Sequence, residues 1–211
     1  VVFTGDLTDR GPNSRQVVEH LITQIAEGKN WTVIKGNHDR MFGWFLQDHP
    51  KFDIELPVGL DWLNPRLGGD KTLASYGVKI DETSRYYQVH AAARTAVPAE
   101  HLAFLNALPL HYETDDYIFV HAGIRPDVAL AAQTERDLLW IREPFLSHSA
   151  PRAKMIIHGH TALEAPQLYS NRLNLDGGAG YGRPLTPVVI DNKQIFCLGA
   201  HGRVLLEQSA L

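Results

Sequence analysis

The first third of the chain places one amphipathic segment between two short apolar runs. Apolar residues recur at helical spacing from Val17 to Ala26, with Asn13 before them as an N-cap and a glycine after them. The flanking apolar runs, at 1–4 and 31–34, are typical of short buried strands. Strand, loop, helix and strand in this order predict a βαβ unit with parallel strands and a right-handed crossover.

The pattern is less regular beyond the second strand. Aromatic residues between 41 and 97 lie in helical or mixed segments, which we interpret as a helical insertion near the functional end of the sheet. The other predicted elements are helices at 99–107 and 135–141, buried strands at 117–120 and 154–157, and short strands at 173–175, 187–190, 194–198 and 204–207. Turn residues separate the last four strands, which predicts an antiparallel meander.

Composition narrows the class of protein. A length of 211 residues suits one domain. The net charge of −4 argues against a nucleic-acid partner, and no apolar run reaches the ~18 residues of a membrane helix. One cysteine cannot form an internal disulfide and fits a cytoplasmic protein. Because the chain starts directly on an apolar strand, we expect the 1–211 domain to lack its N-terminal strand and helix.

Four predicted strands end in glycine-containing turns that carry metal-binding or phosphate-binding side chains. These turns are GDLTDRG at 5–11, GNHD at 36–39, HAG at 121–123 and GH at 159–160. Ligands of open α/β sheets bind at the carboxyl ends of strands. Carboxylate, amide and imidazole donors suit Mn, Fe or Zn, and arginines such as Arg10 and Arg142 grip phosphate. The combination predicts a two-metal phosphoester hydrolase.

The same turns carry a family resemblance. GDLTDRG, GNHD, HAG and HGH, in this order, resemble the calcineurin-like metallophosphoesterase superfamily. The longer stretches GGDKTLASYG, VHAGI, LLWIREPFL, IIHGHT and LDGGAGYG are similar to the bacterial phosphoprotein phosphatase family, which includes Ser/Thr protein phosphatases and symmetrical diadenosine tetraphosphate hydrolases. The resemblance runs from Val2 to about Arg183. It implies an α/β fold of the α/β/β/α sandwich type, with two mixed sheets packed together and helices outside.

The resemblance also implies a role for each matching residue. Asp6 would bridge two divalent metals, and the second metal would be completed by Asn37, His121 and His160. His38 would be the general acid, with Asp9 orienting it, and the phosphoryl oxygens would be held by Asn37, Arg10 and Arg142. A metal-bridging hydroxide would attack in line. Manganese is the expected metal, with iron or zinc as alternatives.

One family motif is absent from the chain. In the family, an Asp-x-His motif supplies most ligands of the first metal. Either this motif lies upstream of Val1 or the protein lacks that metal. The first substrate choice is a phosphorylated Ser/Thr side chain of a protein, and the alternative is a dinucleoside polyphosphate. A further alternative is a degenerate, non-catalytic phosphate-binding module. A base-binding platform in 41–97 would favour the nucleotide, whereas an open groove would favour the protein.

Several other polar and aromatic residues have structural interpretations. His158, two residues before His160 on a strand, is expected to support the site or the core rather than bind metal. Asp39 is expected to cap a helix. Core packing is the favoured interpretation for Trp44, Phe45 and Trp62. The remaining histidines, assigned to the surface or to packing, are His20, His49, His90, His101, His111, His148 and His201.

Cys197 and Arg203 match the Cys-x5-Arg spacing of cysteine-dependent phosphatases. That chemistry needs a loop that opens onto a helix, whose free amides bind phosphate and lower the thiol pKa. Here a strand-like run follows, so the spacing is interpreted as a coincidence within a β-hairpin.

Overall fold

The computed structural model describes residues 1–209, which divide into two compact units. The first unit is Val1–Pro109 and the second begins at Leu110. The last two residues of the predicted 1–211 domain lie outside the described part. The helices are α1 (Ser14–Ala26), α2 (Asn37–Phe45), α3 (Gly69–Ser75), α4 (Tyr86–Ala96), α5 (Ala99–Ala107) and α6 (Glu135–Trp140). The strands are β1 (Val2–Phe3), β2 (Thr32–Val33), β3 (His111–Glu113), β4 (Tyr117–Val120), β5 (Met155–His158), β6 (Gln167–Leu168), β7 (Arg172–Asn174), β8 (Val188–Asp191), β9 (Gln194–Gly199) and β10 (Gly202–Leu205).

The first unit begins with the predicted βαβ arrangement. β1 pairs in parallel with β2, and α1 connects them. Helix α1 starts directly after Asn13 and buries Ser14, Val18 and Leu21, which share one face at a spacing of three to four residues. The predicted βαβ order is therefore confirmed, although each strand is shorter than its apolar run. Asn13 stands at the predicted N-cap position, but its side chain makes no capping hydrogen bond.

Helices complete the first unit. The GNHD motif, predicted as a turn at a strand end, instead contributes its last three residues to the opening turn of α2. Helices α3 and α4 lie inside the 41–97 segment, and α5 has the predicted limits. That 41–97 is an insertion near the functional site stays a prediction.

The second unit contains a five-stranded sheet in the order β3-β4-β5-β7-β6. Its three central strands are parallel, and the two edge strands are antiparallel to their neighbours. The prediction that the strand at 173–175 belongs to the terminal meander is wrong, because β7 pairs in parallel with β5, Leu173 opposite Ile157. All three residues of β7 are buried, as is typical of a strand covered on both faces.

Strands β8, β9 and β10 form the predicted antiparallel meander. The meander packs on the five-stranded sheet through a core that contains Ile157, Leu173 and Ile195. The next residue to Ile157 in β5, Ile156, points to the opposite face and joins a second core with Leu138 of α6. The second unit is thus a sheet covered by α6 on one face and by the meander on the other.

Cys197 lies in β9 and pairs with Val204 of β10. Burial raises the pKa of its thiol, the opposite of what a cysteine nucleophile needs. The hairpin interpretation of the Cys-x5-Arg spacing is confirmed. Over residues 1–209, no helix has both the length and the apolar character that a membrane span requires. The mixed α/β fold class is confirmed.

Candidate functional site

The turns after β1 and β2 meet at one edge of the first unit's sheet, because parallel strands end on the same side. Two glycines permit the contact. A Cβ on Gly5, which has φ +88°, would lie 2.5 Å from the amide nitrogen of Gly36. A Cβ on Gly36 would lie 2.2 Å from both the amide nitrogen and Oδ1 of Asp6. Only glycine fits at both positions, so these turns bring the first two sequence motifs together.

Asp39 joins the two turns through its carboxylate. It accepts hydrogen bonds from the amides of Asp6 and Leu7 and from that of Gly36, each at 2.9 Å. The sequence predicts that Asp39 caps a helix that follows it, but Asp39 instead lies inside α2 as its third residue and accepts from the amide of the N-cap residue Gly36. The two bonds across to the first turn are not apparent from sequence spacing. Burial and then the Asp6 charge raise the pKa of Asp39 to about 7, against the effect of its amide donors.

Asp9 and His38 form a buried pair, with His38 Nδ1 2.5 Å from Asp9 Oδ2. The amide of His38 also donates to Asp6 Oδ1, at 3.1 Å. Burial by itself lowers the pKa of His38, but the Asp6 charge and then the Asp9 hydrogen bond outweigh it. The pKa therefore lies above its ordinary value of 6.5, and the positively charged imidazolium is favoured.

Asp9 has two further partners from the 41–97 segment. The indole Nε1–H of Trp62 donates to Asp9 Oδ2 at 2.8 Å, and the hydroxyl of Thr72 donates to Oδ1 at 2.7 Å. The sequence pattern favours core packing for Trp62 and indicates no role for Thr72. The only sequence signal was that Thr72 lies in the family-like stretch GGDKTLASYG.

Left-handed backbone conformations are concentrated on the predicted site residues. Asp6, Asp9 and Arg10 have φ of +56°, +76° and +58° in the first unit, and His160 has φ +64° in the second. Residues other than glycine rarely adopt this region, and strain of this kind clusters at functional sites. Arg10 is half-buried, and its charge acts to lower the pKa of His38.

In the second unit, the ends of β4 and β5 bring two predicted metal ligands together. The rings of His121 and His160 lie with centroids 5.1 Å apart and planes at 71°. The amide of Gly159 donates to the carbonyl oxygen of His121 at 2.8 Å, which ties the two strand ends. Trp140 at the end of α6 packs edge-on against His160 at 5.6 Å. Arg142 follows α6 and is exposed.

His158 is fully buried beside this pair. Its Nδ1–H donates to the carbonyl of Gly159 at 3.0 Å, and Arg172 approaches its Nε2 at 3.4 Å. Burial is the largest cause that lowers the pKa of His158, to about 3, so the ring is neutral. This environment matches the expected supporting role of His158.

The donor chemistry of both clusters fits divalent metals. Asp6 and Asn37 in the first unit offer carboxylate and amide oxygens, and His121 and His160 in the second offer imidazole nitrogens. Across residues 1–209, however, no three His, Cys, Asp or Glu side chains form a group able to hold a metal ion. The metal-ligand roles of these residues stay predictions. Chemically, the first unit presents an oriented imidazole beside carboxylates that favour its protonated form, which suits proton transfer to a leaving group.

The sequence matches the family model described as calcineurin-like phosphoesterase over residues 1–177. It is 24% identical to the asymmetrical bis(5'-nucleosyl)-tetraphosphatase PrpE of Anoxybacillus flavithermus, covering 88% of this chain and 73% of that protein. A protein of the same name from Oceanobacillus iheyensis is 23% identical, with coverage of 99% and 80%.

Solved structures show the same fold. A crystal structure described as a candidate diadenosine tetraphosphatase aligns with TM-score 0.61 and 18% identity, covering 99% of this chain and 81% of that one. The cold-active protein-tyrosine phosphatase of a psychrophilic Shewanella species aligns with TM-score 0.60 and 14% identity, covering 98% and 69%.

Proposed function

Because the chain belongs to the calcineurin-like phosphoesterase family, we propose that it hydrolyses a phosphoanhydride bond of a dinucleoside tetraphosphate. The buried His38–Asp9 pair is the observation that carries the hydrolytic part of the proposal. The names of the two bacterial tetraphosphatases support the nucleotide substrate. The alternative substrate from the sequence is thereby favoured over its first choice, the phosphorylated Ser/Thr side chain.

Proton transfer in this proposal belongs to His38. Its Nδ1 is engaged by Asp9, so Nε2 is the nitrogen that holds the transferable proton. Water attacks the phosphorus, the bond from phosphorus to the leaving oxygen breaks, and the leaving oxygen takes the proton from Nε2. The proton that the attacking water loses passes to solvent, from which His38 is protonated again. A positioned general acid contributes roughly 10²–10⁴-fold to such a step.

The remaining predicted residues bind and neutralise charge. Arg10 and Arg142 would hold phosphoryl oxygens together with Asn37. The residues that would hold divalent metals are Asp6, Asn37, His121 and His160. Members of this family generally depend on two metals, which when bound acidify water and stabilise phosphoryl charge. Manganese remains the expected metal, with iron or zinc as alternatives.

Exposed aromatic rings in the 41–97 segment also support a nucleotide. Phe52 is 61% exposed, and its ring lies 6.0 Å from that of Tyr86, which is 37% exposed. Accessible ring faces of this kind stack on nucleobases, and each stacked base is worth roughly 1–3 kcal/mol.

The test is hydrolysis of diadenosine tetraphosphate by protein stripped with chelator and reloaded with manganese. Anion-exchange separation of the products distinguishes ATP and AMP, the asymmetrical cleavage expected from the relatives' names, from two ADP. Asp6→Asn is expected to lose activity, whereas the matched control Asp81→Asn, at an exposed turn, keeps it.

Phosphothreonine and phosphotyrosine peptides run in parallel. Turnover of peptide without turnover of the nucleotide would replace this proposal with a protein phosphatase. A folded, metal-loaded protein that hydrolyses none of these substrates would instead be the non-catalytic phosphate-binding module.

A further inference from the structure

Three donors from different parts of the first unit converge on one carboxylate. Asp9 Oδ2 accepts from His38 Nδ1 and from Trp62 Nε1, while Oδ1 accepts from Thr72. The backbone amide of Asp9 also donates to the Thr72 hydroxyl at 2.8 Å. Both oxygens of Asp9 are therefore held by buried hydrogen bonds, and only one of the three bonds belongs to His38.

The number of available protons determines which atom donates in each hydrogen bond around Asp9. Thr72 has one hydroxyl proton, and the Asp9 carboxylate can only accept it. Ser14 Oγ, 3.1 Å from Thr72 Oγ1, must then donate to Thr72, and it accepts in turn from the Asp9 amide at 3.2 Å. The network is closed, so the Asp9 carboxylate cannot rotate without breaking several buried hydrogen bonds at once.

Trp62 is itself held rigidly. Its ring stacks on Phe42 at a centroid distance of 5.2 Å with planes 18° apart, and packs against Phe45 at 4.9 Å. Only 6% of Trp62 is exposed. Because an indole nitrogen donates and never accepts, this placement presents a fixed donor to Asp9.

The double glycine of GGDKT explains how Trp62 and Thr72 reach Asp9. A Cβ on Gly68, which has φ +92°, would lie 2.2 Å from the amide nitrogen of Arg10. A Cβ on Gly69 would lie 2.4 Å from the carbonyl oxygen of Trp62 and 2.6 Å from its ring. Both glycines are needed for the start of α3 to contact the Asp9 loop and Trp62 together, and Thr72 follows in the same helix.

We propose that Trp62 and Thr72 are positioning residues for the reaction, which hold the Asp9 carboxylate in the one orientation that fixes the ring of His38. The inference rests on the proposed function in that it takes His38 as the proton donor. It gives the GGDKT stretch a role in proton transfer.

The kinetic test compares two substrates that differ in their leaving group. Trp62→Phe removes the indole donor and keeps an aromatic ring, and Thr72→Val removes the hydroxyl at similar size. We expect kcat on phenyl phosphate, whose leaving oxygen needs a proton, to fall by about 10-fold. This is the usual order of effect when a residue that orients a functional side chain is removed. On para-nitrophenyl phosphate, kcat should change less than about twofold. KM should be unchanged on both.

Three further variants make this result specific. Thr72→Ser keeps the hydroxyl and is expected to restore turnover of phenyl phosphate. Trp44→Phe and Thr95→Val are matched controls, because Trp44 stacks on Arg40 and Thr95 bonds within α4. Equal losses on both substrates, or losses in the controls, would show a merely structural role and overturn the inference.

A measurement without turnover separates this inference from the proposed function. In ¹⁵N-labelled protein, the ring ¹⁵N signals of His38 should shift in Trp62→Phe and Thr72→Val but not in Trp44→Phe. The Trp62 indole signal, one of four tryptophan signals, should shift in Asp9→Asn. Unchanged signals would overturn the positioning role even in an active enzyme. Shifted signals in a protein without hydrolase activity would support it while the proposed function fails.

Discussion

His38 shows how neighbouring charges set the state of one residue. Only 4% of it is exposed, and burial opposes its positive charge. Two carboxylates, those of Asp6 and Asp9, reverse that effect. The protonated form of the ring is therefore favoured inside the protein, where burial alone would disfavour it.

Replacement of His38 by Asn tests its role as an acid. We expect His38→Asn to bind metal as before and to lose roughly 10²–10⁴-fold of its turnover on substrates with poor leaving groups. Calorimetric titration with manganese and turnover of phenyl phosphate provide the two measurements. Loss of metal binding would show that His38 is a ligand rather than the acid.

The candidate residues of the first unit could be named from sequence, but their partners could not. Asp6, Asp9 and His38 stand in two short motifs, and the structure gathers them at one sheet edge, although their chemical roles stay predictions. The partners Trp62 and Thr72 follow Asp9 by 53 and 63 residues. Spacing of that length has no local period, so only the folded chain reveals the contact.

At the scale of elements, prediction succeeded where local chemistry sets both ends. Helix α5 begins after Pro98 and ends before Pro109, and both limits match the prediction. The sequence prediction was wrong for β7, because its three residues do not distinguish a central parallel strand from a strand of the meander. The neighbour of a strand depends on long-range pairing, which the pattern of one segment does not contain.

Helix α6 has a complete capping box. Thr134 Oγ1 accepts from the amide of Asp137 at 3.1 Å, and Asp137 in turn accepts from Thr134 and from Arg125. Burial would raise the pKa of Asp137, but the hydrogen bonds from Thr134 and Arg125 outweigh it and lower the pKa below 3.8. The ionised carboxylate is thus the stabilising form.

We expect Asp137→Asn to lower the free energy of unfolding by about 1 kcal/mol at neutral pH. When the pKa of a carboxyl is lower in the folded than in the unfolded state, the ionised group stabilises the folded state at any pH above the unfolded pKa. This stabilisation is lost as the pH falls through the folded pKa. The difference between wild type and variant should therefore shrink once the pH drops below 3.8. Urea unfolding at pH 7 and near pH 3 measures it. A difference that stays constant with pH would contradict the cap.

The exposed aromatic pair of the 41–97 segment provides a prediction about substrate. Phe52→Ala should raise KM for diadenosine tetraphosphate by about 5- to 150-fold, the equivalent of roughly 1–3 kcal/mol of stacking, and leave the KM for para-nitrophenyl phosphate unchanged. Tyr87→Ala, at a residue 63% exposed beside Tyr86, is the control. An equal KM for wild type and Phe52→Ala would exclude stacking on this ring.

Each of the two compact units has its own strands, and the sequence did not predict this division. Hydrophobic periodicity locates helices and strands, but the clustering of contacts depends on the whole chain. The mixed α/β class and the family were predicted because four motifs occur in order. The substrate preference was not predicted, because protein phosphatases and nucleotide hydrolases of this family share the same motifs.

Metal binding should be visible in the stability of the whole molecule. When manganese is added to chelator-treated protein at 100 times its Kd, we expect the free energy of unfolding to rise by about 2.7 kcal/mol, and the Tm to rise with it. Asp6→Asn should reduce the gain, and the exposed-site control Asp81→Asn should not. No rise in Tm with manganese, iron or zinc would contradict a metal-dependent enzyme.

The carboxylate of Asp39 has a consequence for local unfolding. It holds the amides of Asp6, Leu7 and Gly36, which belong to turns more than 25 residues apart. Opening either turn leaves a buried carboxylate short of donors, so both turns are expected to open in one step. In native-state hydrogen exchange, these three amides should then exchange at the same free energy of opening, and two different values would show that the turns open separately.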